Sequence, residues 1–114
     1  MTHLLFTLIN CPSELLDDEE YVKRAVKDAA KTARATILNL AAHKFEPQGV
    51  TSVAMLAESH ISIHTWPELG QAVCDVFTCG DHTMPSLAMT RLKELLKGQI
   101  DDEMMVDRSL HNIS

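Results

Sequence analysis

Val50-Thr51-Ser52-Val53-Ala54-Met55-Leu56-Ala57 and the run after it, Glu58-Ser59-His60-Ile61-Ser62-Ile63-His64-Thr65-Trp66-Pro67-Glu68, decide how the chain is read. The first run is apolar and β-compatible. From Ser59 to His64 polar and apolar residues alternate with period two, as in a strand with one face on a core. Pro47-Gln48-Gly49 before these runs, and Pro67 with Gly70 after them, are turn signals.

Working outward, Ala72 to Cys79 predicts a further strand, with Val73, Asp75, Phe77 and Cys79 on one face, Ala72, Cys74, Val76 and Thr78 on the other, and Gly80 ending it. Thr2 to Asn10 predicts a buried first strand, interrupted by Cys11-Pro12-Ser13. The acidic cluster Asp17-Asp18-Glu19-Glu20 suits a helix N-terminus, and Tyr21, Val22, Ala25, Val26, Ala29 and Ala33 follow at helical spacing. Arg34 to Ala42 fits either an extension of that helix or a strand reaching Phe45. A second helix starts near Pro85, carries Ala88, Leu92, Leu95 and Leu96 on one stripe, and is expected to stop at Gly98. The tail from Ile100 offers a last strand. This order predicts one α+β domain over residues 1–114, a two-layer sandwich with helices stacked on one face of a mainly antiparallel sheet.

Ten Lys plus Arg against sixteen Asp plus Glu give a formal charge of −6, and the basic residues do not cluster, which argues against nucleic acid and anionic membrane as partners. No apolar run approaches the ~20 residues that span a bilayer, and Met1-Thr2-His3 lacks a basic secretory start, so a cytoplasmic location is expected. Cys11, Cys74 and Cys79 form no CxxC and cannot all pair, so at least one thiol is free.

Between Glu58 and Glu68 a carboxylate, two serines and two histidines stand inside strand-like sequence, where polar groups beside a core require partners. Ser59 and Ser62 facing solvent is the ordinary reading. His60 and His64 share a strand face and, with Cys79 or His82, have the makings of a metal site. Ser59 or Ser62 with a histidine and Asp75 would make a serine hydrolase, but no GxSxG elbow exposes the serine. Cys79 as a small hydrophobe, Phe45 as core and Glu68 as a solvated turn charge are the ordinary alternatives for those residues.

Ala57-Glu58-Ser59-His60-Ile61-Ser62-Ile63-His64-Thr65-Trp66-Pro67-Glu68 and Asp75-Val76-Phe77-Thr78-Cys79-Gly80 resemble the two signatures of prokaryotic S-adenosylmethionine decarboxylases. The resemblance extends to His43-Lys44-Phe45 and Gly49-Val50-Thr51. It implies a four-stranded antiparallel sheet flanked by helices, paired into a homodimer, with the segment after Arg34 a strand. It further implies a proenzyme that cuts itself between Glu58 and Ser59 into residues 1–58 and 59–114. Ser59 Oγ attacks the Glu58 carbonyl to give an ester, elimination leaves dehydroalanine, and hydrolysis leaves a covalent pyruvoyl group as the cofactor. That ketone condenses with the amine of S-adenosylmethionine and withdraws the electrons left by departing CO2. By the same resemblance Thr51 supports the oxyanion, where a serine is expected, and His64 is the processing base. Cys79 is the proton donor. Phe45 stacks on adenine and Glu68 accepts from the ribose hydroxyls. No metal is implied. Ser59 and His64 are five apart, so an unbroken strand points them to opposite faces, and the resemblance calls for a bend or bulge between them. A pyruvoyl decarboxylase of arginine or ornithine, and an unprocessed non-catalytic homologue, are the alternatives on the same scaffold.

Overall fold

Alternation along each strand sets which face of the sheet meets the core. In β1 (Thr2–Ile9) Leu4, Phe6 and Leu8 are buried, in β3 (Val50–Leu56) Val50, Ser52, Ala54 and Leu56, in β4 (Ser59–Trp66) Ile61, Ile63 and Thr65, and in β5 (Gln71–Thr78) Ala72, Cys74, Val76 and Thr78. With β2 (Ile37–Lys44) and β6 (Gln99–Asp107) these strands form one antiparallel sheet in the order β2-β3-β4-β5-β1-β6. The computed structural model describes residues 1–79 and 82–110. Gly80, expected to end β5, lies outside them.

The buried face is roofed by helices. A short α1 (Ser13–Leu16) places Leu16 in the core, and α2 (Glu19–Thr32) is capped by the Asp18 side chain, which accepts from the Tyr21 N–H. Val22, Ala25, Val26, Ala29 and Ala30 of α2 are buried over β2, β3 and β4, the alanines allowing close approach, and Ala88, Met89, Leu92 and Leu96 of α3 (Pro85–Leu96) lie over β1 and β5. Thr65 ties roof to sheet: its hydroxyl donates to the Leu16 carbonyl at 2.7 Å and accepts from the Val50 N–H at 2.8 Å.

Three expectations change. The sheet has six strands among the described residues, not four, because every segment with strand character pairs, β6 covering the otherwise open edge of β1. Residues after Arg34 do form β2, but the bulges fall in the edge strands, at Leu38 of β2 and at Asp102 of β6 with φ 52°, while β4 pairs without a register shift on both sides. Helix α3 ends one residue before the expected stop: Lys97 adopts the left-handed cap, and a Cβ on Gly98 would lie 2.5 Å from Cys11 Sγ, so that glycine serves close packing. Among the described residues the opposite face of the sheet carries no helix and presents Val53, Met55, Trp66 and Val73 at the surface.

Candidate active site

Ala57 and Glu58 are the two loop residues of the β3–β4 hairpin, flanked by the opposed pair Leu56 and Ser59. Two-residue hairpin loops favour Gly or Asn with positive φ, and neither is present. The unusual torsion falls instead on Ser59, at φ 152°, where a residue with a Cβ is strained.

Glu58 is held from several directions. Its backbone carbonyl accepts from the Cys79 N–H at 3.0 Å and from Cys79 Sγ at 2.9 Å. Its side chain, almost fully buried, accepts from the Thr36 N–H at 3.0 Å and from His82 Nε2 at 2.6 Å. The Thr36 N–H, then His82, hold the Glu58 carboxyl below its ordinary pKa against burial, which pushes the other way. The carbonyl between residues 58 and 59 thus faces two donors while the neighbouring hydroxyl belongs to a strained residue, an arrangement suited to acyl chemistry on that peptide bond.

The other expected residues gather at the far end of the sheet. Thr51 Oγ1 and His64 Nδ1 share a hydrogen bond of 2.9 Å across a directly opposed β3–β4 pair. With no bulge in β4, His64 lies roughly 16 Å along the strand from Ser59, at about 3.3 Å per residue. Phe45 follows β2 at that same end, edge-on to His43 at 4.6 Å, and Glu68 sits in a 3-10 turn, Pro67–Leu69, after β4. One chain therefore separates Glu58, Ser59 and Cys79 from Phe45, Thr51, His64 and Glu68.

Between the two groups, on the open face, Asp75 collects donors. His3 Nε2 and His60 Nε2 each lie 2.8 Å from its Oδ2, and Ser62 donates to Oδ1. Ser62 bonds the carboxylate directly rather than a histidine, so no hydrolase triad forms from it. The metal set read from sequence is not gathered either: His60 binds Asp75, His64 binds Thr51, and Cys79 and His82 bind Glu58. His3, His60 and Asp75 do converge. Yet Arg108 donates to His3 Nδ1 at 3.2 Å, which leaves the ring proton on Nε2 as a donor to Asp75 and places a guanidinium beside the cluster, both unfavourable to a cation.

Sequence reasoning missed the links from His82 and Thr36 to Glu58 and that from His3 to Asp75. They join residues 22 to 72 positions apart, and no spacing rule signals such pairs.

A two-layer α+β scaffold whose cysteine grips the carbonyl before a strained serine is the class of fold and site suited to acyl chemistry at one peptide bond, and comparison with known proteins supplies the family. The S-adenosylmethionine decarboxylase family model matches residues 2–109. An S-adenosylmethionine decarboxylase proenzyme of Synechococcus sp. (strain WH7803) is 58% identical over 95 residues, covering 83% of this chain and 74% of that one. One from Methanococcus maripaludis (strain C7) is 45% identical over 108 residues, covering 95% and 88%. The crystal structure of the adenosylmethionine decarboxylase from Aquifex aeolicus VF5 superposes with a TM-score of 0.88 at 35% identity, covering 99% of this chain and 93% of that one. The chain belongs to the S-adenosylmethionine decarboxylase family.

Proposed function

We propose that this protein decarboxylates S-adenosylmethionine after cutting itself between Glu58 and Ser59, into residues 1–58 and 59–114. The observation that carries the reading is the Glu58 carbonyl, bound by both the N–H and the thiol of Cys79 in the residue that precedes Ser59. Ser59 Oγ adds to the Glu58 carbonyl carbon, the C–N bond breaks, and an ester replaces the peptide. Cys79 supplies two donors to the oxygen on which charge develops, a contribution usually worth a few kcal/mol. Removal of the Ser59 α-proton by a base then expels the Glu58 carboxylate, and water releases the nitrogen as ammonia, leaving a ketone at position 59.

The residues at position 59 fit a pyruvoyl group, since a serine at the start of β4 becomes the first residue of the second fragment with its Cβ retained. When bound to the substrate amine, that group supplies an electron-accepting carbonyl for loss of CO2. Cys79 carries the proton returned to the substrate, Phe45 offers an exposed aromatic face for adenine, and Glu68 offers acceptors for ribose hydroxyls.

A homodimer is part of the proposal. Thr51 and His64 lie on the open face of the sheet, at the opposite end from Ser59. A second copy packed face to face about a two-fold axis sets the His64 end of one sheet against the Ser59 end of the other. Exposed Val53, Met55 and Val73 on that face favour the arrangement.

Intact mass of the purified protein tests the cut. Two fragments, the second with a ketone-blocked terminus, are expected from the wild type and one chain from Ser59→Ala; a single chain from both rejects self-cleavage. Release of CO2 from S-adenosylmethionine, and not from arginine or ornithine, tests the substrate.

A further inference from the structure

We propose that His82 is a positioning residue for self-cleavage: it clamps the Glu58 carboxylate, and through it the carbonyl that Ser59 attacks. This rests on the self-cleavage reading above and adds a residue to it.

Glu58 has almost no exposed side-chain surface, whereas the His82 ring is mostly in solvent. A buried carboxylate is tolerated only when its oxygens are bonded, and here Thr36 N–H bonds Oε1 and His82 Nε2 bonds Oε2. Thr36 is tied to the same loop a second time, because its carbonyl accepts from the Ala57 N–H at 2.9 Å. Cys79 and His82, three residues apart, hold the same residue at its two ends, the backbone carbonyl and the side-chain carboxylate. Residue 58 therefore has little freedom to rotate its carbonyl away from the Cys79 donors.

Two physical effects follow. A strained torsion such as that of Ser59 persists only where its neighbours over-determine it, and the clamp on Glu58 is the nearest such constraint. The oxyanion forms within a few bonds of a carboxylate of the same sign, so a donor on that carboxylate lowers the repulsion the transition state must bear. His82 bonds the Glu58 carboxylate and not the carbonyl that reacts.

The test is the time course of self-cleavage in freshly translated full-length chains, read as intact precursor against fragments. His82→Ala is expected to slow cleavage roughly tenfold to a hundredfold, the effect of losing a hydrogen bond to a charged group. His82→Gln, which retains an N–H donor, is expected to recover most of the rate. In a Ser59→Ala background, where nothing is cut, His82→Gln should melt with the parent, whereas His82→Ala, which leaves a buried Glu58 oxygen unbonded, should melt a few degrees lower. A wild type that cuts and a His82→Ala chain that cuts equally fast overturn the inference alone. So does equal slowing by Ala and Gln with melting temperatures lowered alike, which makes His82 merely structural. A wild type that stays whole removes self-cleavage and this inference together.

Discussion

Asp75 shows how far a single side chain depends on residues distant in sequence. Burial alone would raise its pKa, but donors from Ser62, His3 and His60 together hold it below the ordinary value. A group depressed on folding stabilises the native state above its unfolded pKa, about 3.9, and that stabilisation is lost as pH falls through the lower folded value. In an uncut Ser59→Ala background, Asp75→Asn is expected to cost about 1–3 kcal/mol at neutral pH, and the gap between the two proteins should narrow below about pH 4. Chemical denaturation at a series of pH values checks this; a gap independent of pH contradicts it. From sequence, alternation already placed Asp75 with Val73 and Phe77 on one face of β5. Its partner His3 was not legible, because the pairing of β1 with β5 joins residues with no local signal.

Elements were more legible than contacts. The 3.6-residue spacing of Val22, Ala25, Val26 and Ala29 located α2, and alternation from Ser59 to His64 located β4 with the correct buried face. Pattern alone left Arg34 to Ala42 open between helix and strand because an apolar run carries no period of its own, and only the family resemblance favoured the strand that forms; Arg34, at φ 62°, breaks the helix, and β2 pairs with β3. The hairpin loop at Ala57 and Glu58 was hidden for a different reason: it lacks the Gly or Asn by which such loops announce themselves, and the torsional cost sits on Ser59. That cost is measurable. Ser59→Gly and Ser59→Ala both lack the hydroxyl and should remain single chains, but glycine accepts φ 152° freely. Ser59→Gly is therefore expected to be more stable by about 1 kcal/mol, several degrees in melting temperature. Equal melting would mean that the torsion stores no energy.

For the molecule as a whole, the site was legible as a set of residues but not as a place. The motifs named Phe45, Thr51, Glu58, Ser59, His64, Glu68 and Cys79, while the unbroken register of β4 divides them between two ends of the sheet. A second copy on the open face is the proposed means of closing that gap, and Val53→Asp is its test. A charge at this exposed apolar position should yield monomers by sedimentation and, with His64 supplied across the interface, leave the chain uncut. Dimers that cut normally would refute the face-to-face pairing. The strand order has its own consequence for a protein severed between β3 and β4. The first piece owns β1, β2 and β3, the second β4, β5 and β6, yet β1 lies between β5 and β6. The two polypeptides are interwoven, with the β3–β4, β5–β1 and β1–β6 seams all joining one to the other. Scission therefore frees nothing: dissociation requires drawing a central strand out from between two strands of its counterpart, so the fragments should stay together for as long as the fold itself survives.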